Sequence, residues 1–220
     1  MLKSYLEFFD EIANIFNKHG FKLYMVGGTS RDFLLNYPVD DYDFATDATP
    51  AEMHEFLPDA NYRFEKFGTV SLKYEDEHVE ITTLREEGEY IDSRHPAYIK
   101  FVTDPAKDYI RRDFTINALY IDENYRVLDF CDGLKDLDTN TLRVIGNPYT
   151  RFAEDPLRII RALRFVAKFK LNIDPLTENA IRDLAHLVKK LNPEKVKAEI
   201  RKVGEQEQNI FKKLMNMYKL

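Results

Sequence analysis

The sequence predicts an α+β fold in two parts, with strands packed against helices over residues 1–146 and an all-helical segment over residues 147–220. Three observations carry this. Apolar stretches of strand and of helix periodicity interleave through the first part. After Pro148 three segments, 156–169, 175–190 and 193–203, each open on Pro and carry helix periodicity alone. The charge balance also reverses, from 15 basic and 29 acidic side chains in residues 1–140 to 17 basic and 9 acidic in residues 141–220. An acidic part suits a cation and a basic part suits a polyanion such as RNA; two solvated surfaces that help the parts dock are the alternative.

In chain order, Leu2, Tyr5, Leu6, Phe9, Ile12, Ala13 and Phe16 sit at helical spacing within residues 2–17, and Gly20 stops the helix. Residues 21–26 read as a strand running into Gly27 and Gly28. A short helix follows over 30–35, then a strand over 41–45. Residues 68–74 and 78–84 alternate about Glu75-Asp76-Glu77 and read as a hairpin. Residues 86–108 follow neither period and carry Gly88, Pro96 and Pro105, which predicts a long mobile loop of functional length. Residues 120–121 and 127–128 flank a turn, and 141–145 read as a strand closing the first domain. A last helix over 204–220 carries a narrow apolar stripe, Ile210, Leu214 and Met217, that calls for a partner such as a second copy of the chain.

The chain's 220 residues are 44% hydrophobic and 32% charged, with 8 Gly and 9 Pro, too apolar for disorder and too charged for a membrane protein. Cys131 is the single cysteine, so an internal disulfide and a zinc site built on several thiolates are excluded, and a reducing compartment fits. The N-terminal apolar pattern is interrupted by Lys3, Glu7, Asp10 and Glu11, against a signal peptide. The expected location is the cytoplasm.

The densest chemical signal is Val-Gly-Gly-Thr-Ser-Arg-Asp at 26–32 followed by Asp41-Tyr42-Asp43. On a strand, Asp41 and Asp43 point to one side, and two like charges so close call for a cation. Mg²⁺ is commonly held by one or two carboxylates plus substrate phosphates, and two such ions flank an in-line phosphoryl displacement. Gly27 and Gly28 would let the backbone approach a triphosphate, with Arg31 pairing its oxygens. A solvated Asp-x-Asp edge and a plain Gly turn are the alternatives for the pieces taken singly. Glu80 adds a third carboxylate, as metal ligand or as base toward a hydroxyl, if its strand neighbours that of Asp41; otherwise it faces outward. In Arg111 to Asn117, Asp113 and Asn117 are four apart, facing one way in a helical turn for sugar hydroxyls, with Arg112 near phosphate or ribose; Asp113 as a helix cap is the competing reading. Asp155, Arg158, Arg161 and Arg164 recur every three residues as a polar stripe opposite Leu157, Ile160, Leu163 and Ala167. A carboxylate accepts from an exocyclic amine while a guanidinium donates to a ring nitrogen, so Asp155 and Arg158 match the edge shared by cytosine and adenine. A salt-bridged helix face is the alternative.

These segments, with Asp-Tyr-Asp-Phe-Ala-Thr at 41–46, Arg-Arg-Asp-Phe-Thr-Ile-Asn-Ala at 111–118 and Glu-Asp-Pro-Leu-Arg-Ile-Ile-Arg-Ala-Leu-Arg-Phe at 154–165, resemble the class II CCA-adding tRNA nucleotidyltransferases of the polymerase-beta-like superfamily. The resemblance spans about residues 21–203. It implies a nucleotidyltransferase head with a mixed five-stranded sheet over 1–146 and a helical, nucleotide-selecting and RNA-binding neck over 147–220, with the nucleotide in the cleft between them and the family's body and tail domains absent. The implied activity is template-independent addition of C and A from CTP and ATP to the 3' end of tRNA, with Mg²⁺ and release of pyrophosphate. Asp41 and Asp43 would hold metal, assisted by Glu80. Gly28 and Arg31 would hold the triphosphate, Arg112, Asp113 and Asn117 sugar and phosphate, and Asp155, Arg158, Arg161 and Arg164 the base or its phosphates. Residues 86–108 resemble the family's flexible loop, and Asn192 to Lys197 with Glu199 its neck helix. The alternatives are a bacterial poly(A) polymerase and a truncated, non-catalytic nucleotide- or RNA-binding module.

Overall fold

A computed structural model describes residues 5–39, 41–75, 77–88 and 97–220. The chain divides into two compact units, described separately below. The first takes the described residues of Met1–Gly88, Tyr98–Arg112 and Asn117–Gly133, and the second includes Asp113–Ile116 and Leu134–Leu220.

The first unit begins with helix α1 (Tyr5–Lys18), whose Phe8, Phe9, Ile12, Ala13 and Phe16 are all buried. Burying each of the large ones is worth ~1.5–3 kcal/mol, so α1 is held by its apolar face. Strand β1 (Leu23–Met25) leads into helix α2 (Gly27–Leu34), strand β2 (Tyr42–Thr46), helix α3 (Pro50–Phe56), strand β3 (Asn61–Phe64), and the hairpin of β4 (Thr69–Tyr74) and β5 (Glu77–Thr83). Tyr74 faces Glu77 across the hairpin, and Glu75 adopts a φ of 49°. Then come β6 (Arg85–Glu87), β7 (Ile99–Phe101), helix α4 (Pro105–Asp108), β8 (Leu119–Ile121) and β9 (Val127–Asp129).

Seven of these strands form one sheet in the order β3-β4-β5-β2-β1-β8-β9. The β2–β5 pair is parallel and the rest are antiparallel, so the sheet is mixed as expected. It has seven strands where five were implied. Phe8, Phe9, Phe16, Met25, Phe44, Met53, Val79 and Ile81 belong to its main core. The described parts of 86–108, residues 86–88 and 97–108, hold more regular structure than the long loop expected. Arg85 to Glu87 pairs with Ile99 to Phe101, and Asp104 caps α4 through the Ala106 N–H. Residues 89–96, the middle of the expected loop, lie outside the described residues, as does Leu2 of the first helix.

The second unit contains helix α5 (Gly133–Asp138, entering from the first unit), strand β10 (Thr141–Leu142), helices α6 (Pro148–Glu154) and α7 (Leu157–Phe169), strand β11 (Asn172–Ile173), and helices α8 (Pro175–Leu184), α9 (Pro193–Ile200) and α10 (Gln208–Met217). Asn147, Asp174 and Asn192 cap α6, α8 and α9, each followed by Pro in the first turn. The expected strand at 141–145 shrinks to β10, which runs parallel to β11 and does not join the seven-stranded sheet. Residues 147–220 are therefore helical but for β11. The second unit takes up the chain again at Leu134 and includes Asp113–Ile116. Phe114 bridges Val144 and meets Phe165 edge-on at 5.7 Å, which holds that segment there. On α10 the buried residue is Phe211, while Ile210 and Met217 are exposed.

Candidate active site

In the first unit β1 ends at Met25, and the chain passes through Val26 into α2 at Gly27, which has a φ of +67°. A side chain there would be strained in this left-handed conformation and would sit 3.2 Å from Asp43 Oδ2. At Gly28 a Cβ would meet nothing closer than 3.5 Å, so the demanding glycine is Gly27, beside the Gly28 singled out from sequence. Thr29 Oγ1 ties the turn to the carboxylate strand. It donates to the Asp41 carbonyl at 3.1 Å and accepts from the Asp43 N–H at 2.7 Å. Sequence reasoning passed over Thr29, which advertises nothing without its partner strand.

Asp43 is half-buried, while Asp41, just before β2, and Glu80 are exposed. The parallel register pairs Asp43 with Glu80, so both side chains lie on one face of the sheet. Burial first, and the Glu80 charge second, push the Asp43 carboxyl up to about 6, against the Gly28 N–H that it accepts and the Arg112 charge; the Asp41 charge raises it further. A carboxylate made costly by burial and like charges is a natural cation ligand. Among the described residues no three His, Cys, Asp or Glu side chains form a complete metal site. Asp43 and Glu80, carboxylates on one face of paired strands, are oxygen donors of the kind a hard divalent cation takes.

Arg31 is buried and engaged on two sides, with Asp32 at 2.8 Å and the Asn117 side-chain oxygen at 2.5 Å. The structure thus brings Arg31 and Asn117 together. Arg112 bonds to Asp108 at 3.0 Å and to the Tyr120 hydroxyl at 2.8 Å. No α-helical turn spans 113–117, since Thr115–Asn117 is a single 3₁₀ turn.

In the second unit Asp113 accepts from the Phe114 N–H and forms an ion pair with Arg161 at 2.6 Å. The Arg stripe of α7 follows the salt-bridged alternative in part. Glu199, only 4% exposed, accepts from Arg164 Nε at 2.8 Å and lies 3.8 Å from Arg161 and 3.3 Å from Lys202. Arg158 is buried and donates to the Arg151 carbonyl, with Glu154 at 3.4 Å. Asp155 caps α7 by accepting the Leu157 N–H at 3.1 Å. Leu157, Ile160, Leu163 and Ala167 are buried as expected, together with Ile159, Ala162 and Phe165.

A glycine turn clamped to a carboxylate strand thus sits on the mixed sheet of the first unit. The family model described as the poly A polymerase head domain matches residues 23–143, and the chain belongs to that family. It is 42% identical over 188 residues to a protein of Lactobacillus johnsonii named CCA-adding enzyme, covering 86% of this chain and 47% of that protein. It also resembles the crystal structure of the Bacillus stearothermophilus CCA-adding enzyme in complex with CTP, with a TM-score of 0.84 and 31% identity over 95% of this chain and 51% of that one. A tRNA nucleotidyltransferase solved with a primer tRNA and an incoming ATP analog matches with a TM-score of 0.77 and 30% identity, over 94% of this chain and 60% of that one. The chain spans about half the length of the curated relatives it matches. Among the described residues no helix is long and apolar enough to cross a membrane.

Proposed function

We propose that this chain carries the catalytic and nucleotide-selecting parts of an enzyme that adds C and A from CTP and ATP to the 3' end of tRNA and releases pyrophosphate. The observation that supports it most is the Asp43 carboxylate, crowded by burial and Glu80 and facing the Gly27–Gly28 turn. The likeness to relatives whose names and titles carry CCA addition, CTP and tRNA supports the choice of substrates. Residues 1–146 serve as head and 147–220 as neck in this reading.

Asp41 and Asp43 would hold Mg²⁺, which when bound neutralises the phosphoryl oxygens and favours in-line attack by the tRNA 3' hydroxyl. Glu80, across the strand from Asp43, either adds an oxygen ligand or takes the proton of that hydroxyl. Gly28 presents backbone to the triphosphate. Arg31, held by Asp32 and Asn117, and Arg112, held by Asp108 and Tyr120, supply fixed positive charge for it, with Asn117 beside the sugar. Asp113 acts on sugar and phosphate through its pair with Arg161. Asp155 keeps its second oxygen for the amino group of C or A, with Arg158 and Arg164 completing the base-reading stripe.

The test is incubation with tRNA lacking its terminal nucleotides and labelled CTP and ATP, read on a sequencing gel. Addition that stops after completing CCA supports the reading. A long tail from ATP alone favours the poly(A) polymerase alternative, which the family description keeps in view. Nucleotide binding without transfer favours the binding module.

A further inference from the structure

Asp108 is a carboxylate with no exposed surface, at the end of α4. Its Oδ1 accepts from the Arg85 backbone N–H at 2.9 Å and from Arg111 Nε at 2.8 Å. Its Oδ2 accepts from Arg112 Nε at 3.1 Å and from the Tyr120 hydroxyl at 2.5 Å. Arg112 Nη2 also lies 3.0 Å from Oδ2, and its Nε–H is shared between Oδ2 and the Tyr120 hydroxyl, so both oxygens of the ionised carboxylate are engaged. Burial alone would raise this carboxyl, but the Arg111 and Arg112 guanidiniums and the Tyr120 hydroxyl hold it well below the usual carboxylate range. One anion thereby joins the root of the β6–β7 hairpin, the turn after α4, and strand β8.

Tyr120 is also fully buried, and its hydroxyl is a relay. It donates to Asp108 and accepts from Arg112 Nε at 2.8 Å, while its ring lies against the Arg112 guanidinium, 5.1 Å from the ring centre. An arginine held on one edge by a carboxylate, a phenol and a ring face has lost its rotamer freedom before any ligand arrives.

The geometry points to Asp108 and Tyr120 as positioning residues that hold Arg112 in one orientation and so set its grip on the triphosphate of the incoming nucleotide. This rests on the nucleotidyl-transfer reading above. Pre-organisation is the physical gain: an Arg fixed in place binds a phosphate without giving up side-chain entropy at that moment.

A double-mutant cycle on the full chain tests it, comparing wild type, Arg112→Ala, Tyr120→Phe, Asp108→Asn and the two doubles with Arg112→Ala. Steady-state C addition, CTP affinity by calorimetry and melting curves are measured for each. Arg112→Ala should lower kcat/KM for CTP about 10- to 100-fold, as loss of a charge-assisted contact does. Tyr120→Phe and Asp108→Asn should each lower it about 3- to 30-fold, through a higher CTP KM and weaker CTP binding, with the tRNA KM unchanged. In the Arg112→Ala background neither should lower it further. Tyr120→Phe removes one hydroxyl from a packed ring and carries the cycle alone if Asp108→Asn does not fold. Additive losses, or losses that vanish once each variant is assayed well below its own melting temperature, overturn the inference. Wild-type protein that neither binds CTP nor extends tRNA fails the functional reading itself.

Discussion

Replacing Asp43 by Asn should stabilise the metal-free protein while abolishing nucleotide addition. Burial and Glu80 raise the Asp43 carboxyl from 3.8 to about 6, so the folded state binds its proton more tightly than the unfolded chain does. The linkage sign follows: this favourable term is present below about pH 4 and is lost as pH rises through 6. Two pKa units correspond to about 3 kcal/mol, and partial exposure of Asp43 to water reduces that to about 1–3 kcal/mol. Asp43→Asn keeps the size and an acceptor for the Gly28 N–H but cannot ionise. In chelator-treated buffer at pH 8 the variant should therefore unfold at a higher urea concentration than wild type. Its stability should also lack the wild-type decline between pH 4 and pH 7. Added Mg²⁺ should stabilise wild type and leave the variant unmoved. A variant less stable than wild type at pH 8, with the same pH profile, would refute the view that Asp43 is a carboxylate held at a cost for a cation.

Gly27→Ala forces a side chain into a left-handed backbone 3.2 Å from Asp43 Oδ2, and should cost ~1–2 kcal/mol in melts and most of the addition activity, whereas Gly28→Ala meets only ordinary contacts and should fold like wild type. Glu199→Ala removes the carboxylate that gathers Arg161, Arg164 and Lys202, and should cost ~3–5 kcal/mol in denaturant unfolding. Burial alone would raise the Glu199 carboxyl, but those three cations lower it; its contribution is present above the ordinary glutamate range and lost on acidification, so Glu199→Gln should flatten the acid limb of the stability curve. Asp155→Ala should narrow the preference for C over U and A over G in single-nucleotide incorporation, because a base-reading oxygen is lost. Unchanged ratios with a lower melting temperature would leave Asp155 as the α7 cap alone.

Much of the fold was legible because its strongest elements state themselves locally. The apolar spacing of α1, the Gly27–Gly28 turn, the β4–β5 alternation and the Pro-initiated helices each depend on neighbours in sequence. Strand β3 did not announce itself: Asn61–Phe64 is mostly exposed and its pairing with β4 shifts register, so alternation is weak. Helix α3 was legible and missed, since N-cap Thr49 and Glu52 form a capping box on either side of Pro50. At the site, the placement of Asp43 and Glu80 on one face could be read from strand periodicity and needed only the β2–β5 pairing, while Asp41 lies just before β2, where strand periodicity does not reach. The partners of the arginines could not. Arg31 meets Asn117 across 86 residues and Arg161 meets Asp113 across 48, contacts that no local pattern encodes. Asp113 and Asn117 looked like one helical face because spacing by four is helical, but the chain there makes a β-bridge and a 3₁₀ turn.

The central claim is that the carboxylate pair performs nucleotidyl transfer. Its most direct measurement is the rate of labelled C incorporation into tRNA lacking its terminal nucleotides, for wild type and for the Asp41→Ala, Asp43→Ala double variant at matched folded fraction with Mg²⁺ present. The account predicts incorporation by wild type and a loss of several orders of magnitude in the variant, with CTP still bound. Incorporation by the variant at near the wild-type rate would contradict it.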